Sequence, residues 1–168
     1  MVILNSTEED IESIFKIYDD ATAYQKKQTI NYWKGFERSL VQQEIEEQRQ
    51  YKIIIDGEIA CVFVITYSDP LIWKERDVDP SIYIHRIATN PSFRGSSFVK
   101  QIIEWAKVHA KKTGKEFIRM DTTAGNDKLN NYYFNCGFTD KGITLMGFEE
   151  ELPLHYRGGS LNLFEIKL

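Results

Sequence analysis

Residues 82–112 read IYIHRIATNPSFRGSSFVKQIIEWAKVHAKK, and they constrain the fold more than any other stretch. A β-rich run ends in a loop of Asn, Pro, Gly and Ser, and a long amphipathic run follows. Phe98, Ile102, Trp105, Ala106 and His109 share one face of that run, which predicts a helix from about Ser97 to Lys112. Lys111 and Lys112 suit the negative end of its dipole, and Gly114 suits the position just past it. Another β-rich run follows at Glu116 to Thr122. Two strands joined through a helix must run parallel, with a right-handed crossover. Upstream, Tyr51 to Ile55 and Glu58 to Tyr67 flank Asp56-Gly57, a pair that tolerates positive φ at both positions of a two-residue hairpin turn. One hairpin and one crossover together demand a mixed sheet.

The remaining elements are read in the same way. Met1 to Asn5 predicts a short strand. Ser6-Thr7-Glu8-Glu9 has capping-box spacing, and Ile11, Ile14, Phe15 and Tyr18 then mark one helical face. The polar and aromatic segment Ala21 to Gly35 reads as irregular. Phe36, Leu40, Val41 and Ile45 mark a second helix ending near Arg49. Ser68 to Pro80 reads as a loop and Ser81 to Thr89 as a strand that Asn90-Pro91 ends, since proline cannot donate to a ladder. Asp127 to Asn135 reads as a short helix, and Phe138 to Met146 and Leu161 to Leu168 as strands. The expected order is β-α-α-β-β-β-α-β-α-β-β, an α/β (α+β) mixed sheet with helices on its faces.

The 168 residues suit one domain, 1–168. With 42% hydrophobic and 13% aromatic residues, the chain has the material for a substantial core. A net charge of −4 argues against nucleic acid as a partner. The longest apolar runs, such as Ile59 to Ile65, are too short for a bilayer, and Glu8, Glu9 and Asp10 stand where a leader would be basic. The expectation is a cytoplasmic protein with no membrane partner. Cys61 and Cys136 lie 75 positions apart without clustered Cys/His spacing, so no metal site is expected. Cys61 reads as a buried small hydrophobe.

The loop NPSFRGSS has chemistry of its own. A helix N-terminus presents free N–H groups and about half a positive charge. Arg94 adds a fixed charge, Gly95 permits close backbone approach, and Ser96 and Ser97 bring hydroxyls. These residues suit a phosphate, or simply a serine-capped helix with a solvated arginine. The element is not a Walker loop, because Gly-Lys-Ser/Thr is missing.

Two motifs here resemble those of the GNAT superfamily of N-acetyltransferases. Ile87-Ala88-Thr89-Asn90-Pro91 followed by Arg94-Gly95-Ser96-Ser97-Phe98-Val99 is similar to its acyl-CoA-binding motif. Asn126, Leu129, Tyr133, Gly137 and Phe138 keep the spacing of its second motif, with Leu129 at the usual Ala position. The order of elements fits end to end. Two departures stand out: Ser97 takes the place of a usual Gly, and Val99 that of Gly or Ala.

The resemblance implies a GNAT-like fold: a mostly antiparallel central sheet in which Ile82–Thr89 and Glu116–Thr122 splay apart as a parallel pair. It implies acetyl-CoA as the acyl donor. The backbone of Ile87, Ala88 and Thr89 would pair with the pantetheine and polarise the thioester. Arg94, Gly95, Ser96, Ser97 and Phe98 would hold the diphosphate, and Asn126 would contact the cofactor or cap the next helix. Tyr133 holds the general-acid position; its other reading is a ring packed on the core. His85, on the strand before the loop, is the candidate base, or else a hydrogen-bonded core histidine. His109 reads as structural and His155 as uninformative. Asp121 orders the strand end or is a solvated carboxylate.

The acceptor would enter opposite the cofactor, past Tyr24 and Trp33 in the first inter-helix segment and Glu150 in the loop before the last strand. Aromatics and carboxylates suit a cationic amine, although such residues also serve as core and solvated face. The expected activity is direct transfer of an acetyl group to a primary amine of a small molecule or peptide. The alternative is a catalytically weak acyl-CoA sensor on the same fold, which Ser97 and Val99 favour and Tyr133 opposes. Pairing of the final strands would suit a homodimer.

Overall fold

The computed structural model describes residues 1–168. Strands are β1 (Val2–Asn5), β2 (Gln50–Ile55), β3 (Glu58–Thr66), β4 (Ser81–Thr89), β5 (Phe117–Thr123), β6 (Thr139–Leu145) and β7 (Ser160–Lys167). Helices are α1 (Ile11–Gln28), α2 (Arg38–Glu46), α3 (Pro70–Trp73), α4 (Phe98–Thr113) and α5 (Asp127–Asn135). The strands form one mixed sheet in the order β1-β2-β3-β4-β5-β7-β6. The chain divides into two units, residues 1–65 with 85–98, and residues 66–84 with 99–168. β4 gives its first four residues to the second unit and its last five to the first.

In the first unit β1, β2 and β3 form an antiparallel meander. Asp56 and Gly57 turn the hairpin with φ of 51° and 85°, as the Asp-Gly pair predicts. α1 and α2 bury Ile11, Ile14, Ile17, Tyr18, Val41 and Ile45 against Val62 and Ala88, with Trp33 and Phe36 packed alongside. Burial lifts the Cys61 thiol to about 12, in keeping with an inert hydrophobe.

Three expectations are corrected here. The capping box lies one residue later than Ser6 to Glu9: the Asp10 carboxylate accepts from the Thr7 N–H (2.7 Å) and hydroxyl (3.1 Å), while Ser6 is buried. Helix α1 also continues through Ala21 to Gln28 instead of becoming irregular. Ala21 packs on the core, the Thr22 hydroxyl donates to the Tyr18 carbonyl (2.8 Å), and the Gln25 side chain accepts from the Trp33 N–H (2.9 Å). These tertiary contacts override a polar composition that carries little helical signal. In the second unit, Ser68 to Pro80 holds the helical turn α3 and a 3₁₀ turn, Lys74–Val78, where a plain loop is expected.

The second unit holds the crossover. β4 and β5 pair in parallel at Ser81, Ile82 and Tyr83 against Phe117, Ile118 and Arg119. Ile84 and Met120, next along each strand, lie outside that ladder. β5 pairs with β7 along its whole length, from Phe117 with Lys167 to Thr123 with Leu161. At the last parallel pair sits Arg119, 1% exposed. It donates to Glu165 on β7 (2.8 Å), to Asp79 (2.6 Å), to the Arg76 carbonyl (2.6 Å) and to the Tyr83 hydroxyl (3.2 Å). Those bonds hold the guanidinium charged against burial, which pulls the other way.

Arg119→Met removes the closer of Glu165's two cationic partners, leaving Lys141 at 3.4 Å, and is expected to cost about 3 kcal/mol of stability in urea unfolding. Adding Glu165→Leu should recover most of the loss, because no buried charge then stands alone. A single variant as stable as the parent would show that Arg119 does not hold the sheet.

Candidate active site

The loop after β4 is anchored on its own unit. The Asn90 N–H donates to the Ala60 carbonyl (2.9 Å), its amide donates to the Ile59 carbonyl (3.0 Å), and its side-chain oxygen accepts from the Ser92 N–H (3.1 Å). A 3₁₀ turn, Pro91–Phe93, follows. The N–H groups of Arg94 and Ser96 then reach back to the carbonyls of Pro91 and Phe93 at 3.4 and 3.3 Å, near the limit of a hydrogen bond. Gly95 has φ of 89° and Ser97 of 51°. Two left-handed residues in four explain why glycine suits this loop: only glycine adopts that region without steric cost. Ser97 adopts it all the same. Phe98 and Val99 are buried where α4 begins.

Arg94 is exposed, and its guanidinium lies 4.5 Å from the Tyr24 ring centroid on α1. Tyr24 is itself half exposed, so the two residues form one surface feature. Trp33 is half-buried and packs against the first unit's core: it meets Tyr18 at 5.6 Å and Phe36 at 5.3 Å, both edge-on. His85 is half-buried on β4, Ala88 is buried, and Ile87 and Thr89 are half-buried. Arg86 has φ of 49°. A left-handed residue in mid-strand interrupts the alternation that would carry Tyr83, His85 and Ile87 along one face.

The second unit carries the other candidates. The Asn126 side chain accepts from the Leu129 N–H (3.0 Å) and caps α5. At the far end, the Gly137 N–H bonds the Phe134 carbonyl (2.9 Å) and the Phe138 N–H the Tyr133 carbonyl (3.2 Å). With Gly137 at φ 101°, this is a Schellman stop. The Phe138 ring closes it by meeting Tyr133 edge-on at 6.1 Å. The spacing Tyr133-x-x-x-Gly137-Phe138 is therefore a device that fixes the tyrosine in the last turn of its helix. Tyr133 is buried and also packs on Phe164 of β7 at 5.2 Å. Burial, aided by Tyr132, Cys136 and the Asp121 carboxylate, raises its phenol well above the ordinary value.

Tyr156 gives no local sign of a role in the sequence. Its phenol is also raised, first by burial and then by the Asp121 carboxylate, with Tyr133 and Asp69 close enough to contribute. The second unit thus sets two neutral phenols around the buried Asp121. Tyr156 sits 23 residues after Tyr133, in a loop without periodicity, and only the fold brings them together. Glu150 in that loop is exposed, and its carbonyl accepts from Arg157 (2.7 Å). His155 packs on the Tyr156 ring at 4.3 Å, and His109 bonds the Tyr67 hydroxyl (2.7 Å) and stacks on Trp105.

Residues 11–138 match the acetyltransferase (GNAT) family. Over 155 residues, 86% of either chain, the sequence is 26% identical to a Bacillus subtilis (strain 168) protein named as an uncharacterized N-acetyltransferase, YesJ. A GNAT-family acetyltransferase of Listeria monocytogenes 4b F2365 superposes with a TM-score of 0.79 at 23% identity, over 99% of this chain and 94% of the other. YncA of Salmonella typhimurium, a putative acetyltransferase solved with its cofactor acetyl-CoA, superposes with a TM-score of 0.70 at 14% identity, over 100% and 94%.

Because Ser97 occupies a left-handed position, Ser97→Gly should leave the melting temperature unchanged or raise it. Ser97→Val should lower it by several degrees, since a β-branched side chain is a steric outlier there. Equal melting temperatures for the two variants in a thermal scan would count against the strained loop.

Proposed function

We propose that this chain, which belongs to the acetyltransferase (GNAT) family and is an acyltransferase, moves an acetyl group from acetyl-CoA to a primary amine of a small molecule or peptide by direct attack in a ternary complex. Residues 1–168 work as one catalytic domain, in the cytoplasm and without a metal. The observation that carries the reading is the short parallel ladder. β4 and β5 pair at three positions, and both strands run on past them. Backbone groups past a ladder's end can pair with an extended ligand as if it were a strand.

Each residue has a part. The backbone of Ile87, Ala88 and Thr89 aligns the pantetheine and polarises the thioester oxygen. Gly95, Ser97 and Phe98 point N–H groups at the diphosphate, while Arg94 and Ser96 exchange their long turn bonds for phosphate oxygens. Asn126 fixes the start of α5, which presents Tyr133. His85 takes the amine proton, the amine lone pair forms the C–N bond, and the C–S bond breaks. Tyr133 donates a hydrogen bond to the departing sulfur. Tyr24, Trp33 and Glu150 serve the cationic amine in this reading; Tyr24 and Glu150 are exposed, and Trp33 is half-buried against the first unit's core. β6 ends the sheet order and exposes Ile143 and Leu145, which supports pairing of the final strands between two copies.

Protein mixed with acetyl-CoA and a panel of amines should release free thiol. CoA binding without thiol release on any amine would favour the sensor reading, and no binding at all would sink the donor assignment. Tyr133→Phe should lower kcat about 10²-fold or more and leave the CoA dissociation constant unchanged. Its raised phenol stays protonated as pH climbs, so the parent should show no loss of kcat from Tyr133 ionisation up to about pH 10. A basic limb that disappears in Tyr133→Phe would contradict this.

A further inference from the structure

The left-handed step at Arg86 has a support of its own. Strand residues avoid positive φ, and a bulky side chain adopts it only where its surroundings over-determine it. Here the guanidinium is held from two directions within the first unit. Its Nη2 donates to Glu44 Oε1 on α2. Its flat face lies 4.7 Å from the Phe36 ring centroid and 5.7 Å from that of Tyr18. The Arg86 and Glu44 side chains are only 11% and 5% exposed.

This pair is a poor device for stability. Arg86 Nη1 and Glu44 Oε2 are buried with no hydrogen-bond partner, so the bridge uses one nitrogen and one oxygen where the geometry of the two groups allows two of each. A buried pair with unmet polar atoms gives up more hydration than it regains, and an apolar pair of similar size would pack at lower cost. What the pair does supply is a fixed position for Arg86, the residue immediately before Ile87, Ala88 and Thr89.

We propose that Glu44 is a positioning residue. Through its buried ion pair it locks Arg86 in the left-handed conformation, and that step sets the direction in which the backbone of Ile87 to Thr89 presents its N–H and C=O groups to the acyl thioester. The inference rests on the proposed reaction for its consequence, but not for the step itself. Burial works to lower the Arg86 pKa, and Tyr18 and Glu44 outweigh it, so the guanidinium stays charged.

The test separates the step from the side chain that holds it. Glu44→Gln and Arg86→Ala each remove the lock, and kcat should fall about tenfold or more, as small misalignments of a reacting group do. KM for the amine should stay within about threefold, because neither residue touches the acceptor. The double variant Glu44→Gln/Arg86→Gly removes both charges yet places at position 86 the one residue that accepts positive φ freely. It should recover kcat to within about threefold of the parent.

Parent-like kcat in both single variants would overturn the proposal by showing that the pair only packs. A double variant as slow as Arg86→Ala would overturn it too, because the arginine would then act through its own charge. Should the singles fold poorly, the double variant still decides, since it carries no buried charge. Crystal structures read the step without any assay: φ at 86 should turn negative in Arg86→Ala and stay positive in the double variant. A parent that neither binds CoA nor releases thiol would fail the proposed function and leave that structural comparison standing.

Discussion

Three backbone pairs join β4 to β5, and one side chain stands at their end. Arg119 closes the ladder, donates across to Glu165 on its registered neighbour in β7, and reaches Tyr83, its registered neighbour in β4. Its remaining donors tie in Asp79 and the Arg76 carbonyl from the turn before β4. A guanidinium at 1% exposure is tolerable only when oxygens replace the water it loses, and here four acceptors do so. The arrangement stiffens the second unit where parallel pairing stops. Short parallel pairing is weak in itself, so a strong side-chain anchor at its limit is what allows it to be short.

The same logic appears in the departures from regular geometry. Arg86, Gly95 and Ser97 are all left-handed, and they fall within twelve consecutive residues on and after β4. Their supports differ. Glu44 and the rings of Phe36 and Tyr18 hold Arg86, and Asn90 ties the loop to the Ile59 and Ala60 carbonyls of β3. Gly95 needs nothing, and Ser97 bears a cost that the usual glycine avoids. Strain of this kind persists only where neighbours enforce it, and it gathers where backbone groups must point away from their ordinary partners. α5 uses the opposite strategy: an Asn cap at its start and a Schellman stop at its end keep the helix short and regular, so that Tyr133 stands at a fixed place.

What the sequence made legible follows from how local each signal is. Asp56-Gly57, the amphipathic face of α4 with Gly114 beyond it, and the Asn126 to Phe138 spacing all act within a few residues, and all appear in the structure. The capping box slips by one residue because Thr7 with Asp10 has the same spacing as Ser6 with Glu9, and only burial of Ser6 decides between them. Ala21 to Gln28 is helical for the sake of core contacts that lie elsewhere in the chain. Trp33 looks like a binding aromatic in sequence, and its half-buried ring meets Tyr18 and Phe36, contacts that no local pattern announces. The left-handed Arg86 is hidden because the β-rich run Ile82 to Thr89 carries no Gly, Asn or Asp to mark a positive φ, and its partner, Glu44, lies 42 residues away. Tyr156 is hidden for the same reason: its meaning comes from Asp121, with which it has no sequence relation.

The raised phenol of Tyr133 bears on how a tyrosine serves a departing thiolate. A thiol in water has a pKa of about 8.5 and an unperturbed phenol about 10, so full proton transfer from phenol to thiolate is already uphill. Burial and the nearby Asp121 make it more so. A phenol that cannot give its proton away can still donate a strong hydrogen bond to the charge that grows on sulfur as the C–S bond breaks. Such a bond is worth more in a dry site than in water, because no solvent competes for the sulfur. The same burial keeps the phenol neutral, so that it never presents a negative oxygen to the leaving group. Within the proposed reaction, burial therefore suits Tyr133 to lending a hydrogen bond to the sulfur and not a proton, and the proton that ends on the thiol is expected to arrive from solvent after the acyl group has moved.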